Sequence, residues 1–400
     1  MSAQKPGAPN GHASDNNPTR PDMDNMFVVP TNWEPQLLDK VTPMKPAYMY
    51  GSLPSERGMR TKLQLPEVGE DEITEYVAEA SRRGIKFLYV MNSTCSSNRE
   101  MSEDGRWELL QRCQWVLDNG FTGVTLANPF VMEIVARSFP DLELHVSLLT
   151  GVKDARAARF YEDMGATLIH LDPVVARDFK SLRAIRNAVD LKLSLVVNEG
   201  CVLQCPLRDY HTNVISHSHE SIDGQYHVDY CYYNCAGQKI ADESELLRMP
   251  WIRPEDIGVY LDESMDHFKI AGREKMGGGP SSHSDWIEMV TRAYHSGRSD
   301  NVAKLLVGLE GVQSLTGETG PQPPELVIDS RKLDGFIRYF EQEHCDLDCE
   351  RCTYCKAWAR KSVSVHGDAE SYMDQLDSSL ERIKTGSYWT KALEVPEWKS

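Results

Sequence analysis

From residue 47 onward, short runs of β-branched and aromatic residues alternate with longer stretches whose apolar positions recur every three or four residues. AYMYGSL (47–53) is followed by the amphipathic EDEITEYVAEASRRG, and KFLYVMNS (86–93) by GRWELLQRCQWVLDNG. GVTLAN (123–128) leads into PFVMEIVARSFP, LELHVSLL (142–149) into DARAARFYEDMG, and TLIHLD (167–172) into ARDFKSLRAIRNAV. LKLSLVVNEG (191–200) is the sixth such run. A short apolar run bounded by turn residues reads as a buried strand, and a 3.6-residue period as a helix. The pattern blurs over 201–245. It resumes with LLRMPWI (246–252), the helix RPEDIGVYLDES, the run DHFKIAGR (266–273) and a helix around WIEMVTRAYHSG.

Eight strands separated by helices predict a parallel sheet closed into a (β/α)8 TIM-like barrel. An open doubly wound sheet is the weaker alternative. Such sheets usually hold fewer strands, and no glycine-rich phosphate turn follows the first run. Residues 1–27 are rich in Pro, Asn, Ser and Gly and predict a disordered tail. The expected division is therefore a tail at 1–27, a barrel at 28–315 with a cysteine-bearing insertion at 201–245, and an extension at 316–400. The linker TGETGPQPPE (316–325) opens that extension, which carries the helix SRKLDGFIRYFEQ, a cysteine cluster and the amphipathic DAESYMDQLDSSLERIKTG.

Composition adds two constraints. No apolar run approaches the roughly 18 residues needed to cross a bilayer, and the N-terminus has no apolar signal core, so a cytoplasmic protein without a membrane partner is expected. The formal net charge of −17 makes a nucleic-acid partner less expected than a small molecule or a peptide. Ten cysteines in a chain of that kind are not disulfide staples, because the cytosol keeps thiols reduced. Clustered cysteines there bind metal or do redox chemistry.

Eight of the ten cysteines fall into two groups. Cys201 and Cys205 follow the sixth predicted strand, and Cys231 and Cys235 repeat their spacing. Residues just past a barrel strand's C-terminal end sit at the catalytic mouth. Four thiolates delivered there suit a [4Fe–4S] cluster, one cysteine per iron, or a four-thiolate zinc site. Cys345, Cys349, Cys352 and Cys355 form a second set within eleven residues. That density suits a second [4Fe–4S] cluster acting as an electron relay, with zinc as the alternative. The first three also spell the CxxxCxxC of radical S-adenosylmethionine enzymes. In that family the motif follows the first barrel strand, whereas here it follows the whole barrel.

The same strand-end logic marks Asn92 and Cys95, Asn128, Ser147 and Thr150, Asp172, Asn198 and Glu199, and Lys269 and Arg273 as candidate pocket residues. Glu199, beside Cys201, is the acid/base candidate. Lys269 and Arg273 suit an anionic substrate or carboxylate co-substrate, while Cys113 reads as core. The histidine-bearing DYHTNVISHSHE (209–220) reads as a solvated loop. No HExxH or G-x-S-x-G motif and no paired cysteine nucleophile supports peptidase chemistry.

Over about residues 47–300 the chain resembles the peptidase U32 (collagenase-like) family. The likeness rests on FPDLELHVSLLTGVKDARAARFYEDMGATLIHLD (139–172), on the cysteine turn after the sixth strand, and on FKIAGREK (268–275) followed by the VTRAYHSG helix. It departs from the family in NEGCVLQC, where members have His-Gly-Ala-Leu-Cys, in Ala271, where they have Glu, and in the spacing of Cys231 and Cys235. The resemblance implies an N-terminal barrel and, in several members, a four-cysteine [4Fe–4S] cluster. It also implies oxygen-independent hydroxylation of RNA bases or quinone precursors, some members drawing the oxygen from prephenate. The resulting expectation is an iron–sulfur redox enzyme acting on a small molecule or peptide, with an electron-donor protein as a possible partner. A peptidase or zinc-stabilised binding protein is the alternative, and radical S-adenosylmethionine-type chemistry a minor one.

Overall fold

The computed structural model describes residues 22–58, 67–217, 230–273, 282–309 and 321–387. Eight parallel strands close into a barrel in sequence order: β1 (Phe27–Pro30), β2 (Tyr48–Gly51), β3 (Lys86–Met91), β4 (Gly123–Leu126), β5 (Glu143–Val146), β6 (Leu168–His170), β7 (Lys192–Val196) and β8 (His267–Lys269). Pairing of Phe27 with Phe268 and of Val28 with Lys269 closes the ring and excludes the open sheet.

The strand count agrees with the sequence reading, but two identities do not. FVVP at 27–30 is the first strand, although Phe27 was assigned to the tail, and Met23 before it is already buried. Four apolar residues next to a Pro/Asn-rich segment give no measurable period. LLRMPWI, expected as a strand, instead begins inside a one-turn helix, Glu245–Arg248, and continues as extended chain. β7 pairs directly with β8, leaving no gap for another strand. Only the Ile252 N–H reaches the sheet, donating to Val197 O at 2.8 Å. Leu246, Leu247, Trp251 and Ile252 are buried all the same. A short apolar run records burial, and burial alone does not separate strand from turn.

Alternation along each strand sorts the side chains. One set, including Val29, Met49, Phe87, Leu144 and Leu195, packs outward into the core shared with the helices. The opposite set on β1–β3 forms a separate interior cluster of Val28, Tyr48, Tyr50, Leu88 and Val90. On β4–β8 the interior positions also carry polar side chains, Thr125, His145, His170, Ser194, His267 and Lys269, all buried, beside the apolar Leu168 and Val196.

The extension docks on the barrel. β9 (Glu325–Ile328) and β10 (Val363–His366) form an antiparallel pair. Arg253 donates to Ser330 O and to Asp334 Oδ1, both at 2.8 Å. The Ala369–Lys384 helix packs Tyr372, Leu376 and Leu380 against Tyr233 and Ala236 of the Tyr230–Ala241 helix. The first half of the expected linker, 316–320, lies outside the described residues. Among the described residues no helix is long and apolar enough to cross a membrane.

Candidate active site at the barrel mouth

Beyond β7 the chain is fastened before it reaches the first cysteine. Asn198 is fully buried. Its side-chain amide donates to Ala271 O and Leu305 O, both at 3.1 Å, and its carbonyl oxygen accepts from Ala271 N at 2.8 Å. Val307 N donates to Asn198 O at 3.1 Å. Asn198 is thus a clamp holding the ends of β7 and β8 to the 302–307 segment, and its polar atoms face backbone rather than the cavity. Asn198→Ala leaves three buried backbone groups without that partner and should cost roughly 2–4 kcal/mol in chemical denaturation. Gly200 follows where a Cβ would lie 1.7 Å from Val307 O, so only glycine fits.

The Cys201 N–H donates to Glu199 Oε1 at 3.0 Å, which folds the Glu199 carboxylate back over the cysteine turn. Cys201 is the most exposed of these four cysteines as a residue. Its thiol is nevertheless desolvated by the protein around it and held well above the usual range, with Glu199 pushing the same way. Cys231 and Cys235 lie one turn apart on the Tyr230–Ala241 helix, so they share a face. The extension's last helix braces that helix from behind. Cys201, Cys205, Cys231 and Cys235 all line one cavity of about 230 Å³, together with Glu199, Lys269 and Arg273.

Tyr50 organises the cations opposite the thiols. Its hydroxyl donates to Ile270 O at 2.7 Å. Its ring lies 4.4 Å from Lys269 Nζ and 5.3 Å from the Arg273 guanidinium carbon. Burial, and then the Arg273 charge, pull the Lys269 amine down to about 7. A lysine near neutrality can hold or release a proton at physiological pH.

Asp172 lies outside this cavity. It caps its own turn by accepting from Val174 N at 3.0 Å and pairs with Arg208 Nη1 at 2.7 Å. It lines a neighbouring groove of about 720 Å³, which shares Glu199, Cys201, Cys205 and Arg208 with the cavity. Asn128 caps the Pro129–Ser138 helix, and Ser147 and Thr150 close a local turn. Asn92 lines the cavity, Cys95 does not, and Cys113 is buried core.

The expected solvated loop at 209–220 is corrected. Arg208–His217 is a helix, and His211 on it lines the cavity, while His219 lies outside the described residues. Lys239 was also missed: it lines the cavity and donates to Gly308 O at 2.9 Å. Arg208, His211 and Lys239 follow the cysteines at helical spacings, and that was their only sequence signal.

The second group forms a tighter cage. Cys345, Cys349, Cys352 and Cys355 surround a space of about 20 Å³ with Tyr339, Phe340, Tyr354, Arg248 and Leu203. Leu203 comes from the Cys201–Cys205 turn, and Leu347 of the cage loop lines the groove beside that turn, so the two cysteine sites are neighbours. Burial pushes the Cys355 thiol up to about 12. Arg177, itself buried, lies against the rings of Phe340, Trp251 and Phe336 at 4.7, 5.2 and 5.3 Å, and its charge is felt at Cys345 and Cys355.

Among the described residues no three His, Cys, Asp or Glu side chains are gathered so as to hold a single metal ion. Tetrahedral zinc with bonds near 2.3 Å needs sulfurs only ~3.8 Å apart. A cluster takes one cysteine per iron and so spreads its ligands further. The wide, thiol-lined mouth cavity fits a [4Fe–4S] cluster. The tail cage encloses about 20 Å³, room for about one water-sized particle.

The sequence pattern of peptidase family U32 matches residues 54–304, more than half of the chain. A protein of Methanocaldococcus jannaschii described as an uncharacterized protease is 29% identical over 308 residues, which are 74% of this chain and 82% of the relative. A tRNA hydroxylation protein of Bacillus subtilis is 26% identical over 148 residues, 36% of this chain and 33% of its own length. Among solved structures, the U32 peptidase Mk0906 superposes with a TM-score of 0.48 at 22% identity, over 66% of this chain and 98% of its own.

Proposed function

The chain belongs to peptidase family U32, and on that premise we propose an iron–sulfur-dependent redox enzyme that hydroxylates or otherwise oxidises a small molecule or peptide without molecular oxygen. The observation that carries this reading is the meeting of four cysteines with Lys269, Arg273 and Glu199 around one cavity. Cys201, Cys205, Cys231 and Cys235 would hold a [4Fe–4S] cluster, which when bound supplies one-electron transfer.

The chain's own groups do the rest. Arg273 and Lys269, fixed over the Tyr50 ring, bind the carboxylate of an anionic substrate or co-substrate. Lys269 Nζ moves a proton near neutral pH. Glu199 positions the cysteine turn through the Cys201 N–H and offers a second carboxylate at the cavity wall. The Bacillus relative's RNA substrate is not carried over, because a chain of net charge −17 is poorly suited to neutralising phosphates.

For the tail, the small cage favours the zinc alternative over the electron relay. Zinc has no redox chemistry, so Cys345, Cys349, Cys352 and Cys355 would clamp the extension onto the barrel.

Anaerobically purified protein should be brown, absorb broadly near roughly 400 nm, and contain about four irons and one zinc per chain. Eight irons would restore the relay. Colourless protein that hydrolyses peptides would favour the peptidase reading and end this one.

A further inference from the structure

The barrel interior holds an unusual concentration of polar atoms without protein partners. Thr125 Oγ1, His145 Nδ1, both ring nitrogens of His170, Ser194 Oγ and both ring nitrogens of His267 are buried and make no hydrogen bond of ordinary geometry to the described residues, the His267 ring having a weaker contact with the Met26 backbone. Buried polar groups are almost always satisfied by protein or by ordered water. One stray hydroxyl could be tolerated, but seven atoms from five residues on five consecutive strands point to one shared cause.

Their arrangement is continuous. Thr125 is the register partner of His145, and Ser194 of both His170 and His267. The His145 and His170 rings lie 5.9 Å apart between centroids, and Tyr48 lies 5.0 Å from His145 and 5.5 Å from His267. At the floor, His145 Nε2 meets Glu143 Oε2 at 3.2 Å. Glu143 also accepts from Tyr48 at 2.8 Å and from Lys86 at 2.7 Å. The Glu143 and Lys86 side chains are 25% and 50% exposed, so this end meets solvent. At the other end Lys269 follows His267 by two residues on β8 and so shares its interior face, and it lines the mouth cavity.

We propose that the barrel axis is a hydrated proton path, in which waters bridge His145, His170 and His267 and connect the solvent-facing Glu143 at the floor with Lys269 at the mouth. Water is the partner able both to donate and to accept at ring nitrogens that no side chain reaches. Transfer is proton-neutral for each link. An imidazole takes a proton on one ring nitrogen as the other nitrogen releases one, so it ends neutral with its tautomer exchanged, and no electron moves. The path gives Lys269 a proton source and sink that does not cross the substrate cavity. Only its destination rests on the reading of the mouth as the active site.

The test needs neither substrate nor metal. In full-length protein labelled with 15N-histidine, the His145, His170 and His267 ring N–H protons should exchange with bulk water within seconds. They should also show cross-peaks to bound water, although backbone amides of the same strands stay protected. His145→Leu, and independently the milder Thr125→Val, should slow exchange at His170 and His267 about tenfold or more, as expected when solvent access from the floor is cut rather than when the fold opens. Ring protons protected as long as the strand amides, without water cross-peaks, would overturn the proposal. So would exchange that rises and falls only with global unfolding. The wild-type measurement decides the question even if a variant fails to fold, and it is independent of iron content.

Discussion

Stability is expected to fall steeply as the pH drops from about 6.5 to about 4, by more than the surface charges of a protein this size would account for. His145, His170 and His267 are each held below the ordinary imidazole range, chiefly by burial. His267 falls to about 4, with the nearby Lys192 charge next in weight, and His170 is further lowered by Lys269 and by the other two histidines. Each ring is therefore neutral when folded at a pH where the unfolded chain has already bound a proton. The unfolded state holds more protons, so stability rises with pH across this window and is lost as pH falls. For His267 alone, about 2.5 pH units at ~1.4 kcal/mol each gives roughly 3 kcal/mol by pH 4.

Axial water does not reverse the sign. It satisfies the neutral rings, whereas a second charge on the axis still faces Lys192, Lys269 and the other histidines. Glu143 adds a lower limb. Burial alone would raise its carboxyl, but hydrogen bonds from His145, Lys86 and Tyr48 outweigh burial and bring it to about 2. Its contribution is present above its ordinary value and is lost as pH falls toward 2. Urea denaturation at half-unit steps from pH 7.5 to 4.5 measures the slope, and His267→Gln should flatten it by about one proton. A curve flat across that range would show that the three rings are not buried neutral.

The second large effect separates the two cysteine groups. Cys201→Ser with Cys205→Ser should remove essentially all iron and abolish turnover, because two of four irons lose their only protein ligand. Zinc should remain. The thermal midpoint should move little, since Asn198, not the thiols, pins that turn. Cys352→Ser with Cys355→Ser should do the reverse. Zinc is lost and iron is kept, while the midpoint drops by several degrees, about 2–4 °C for each kcal/mol in a larger chain. That drop follows from the extension's role in packing against the barrel and bracing the helix of Cys231 and Cys235. Iron lost equally from both pairs of variants would dissolve the distinction between a chemical centre and a clamp.

Much of this architecture was legible in the residue pattern, and the failures are instructive. The apolar runs at 86–93, 123–128 and 191–200 became strands because their outward-facing residues must pack on helices, and that need leaves a period. β1 was too short to show one. LLRMPWI was apolar because it is buried beneath the extension, a contact that no local pattern encodes. The cysteine spacing at 201, 205, 231 and 235 announced a shared site, yet nothing local distinguished Asn198, spent on backbone groups, from Glu199 beside it.

By itself, then, the sequence determined the barrel class, the two thiol groups and the cations at the end of β8. These follow from local period, covalent spacing and the rule that strand ends make the mouth. Only the tertiary structure decided what crosses the barrel. LIH and LSL each show one polar residue, and HVS and HFK two, in otherwise apolar surroundings, which reads locally as scattered tolerance. Closure of the ring turns those residues onto one axis, where each loses water and acquires the others as neighbours. Their chemistry is a property of that enclosure, because desolvation and mutual repulsion arise only once distant strands face one another.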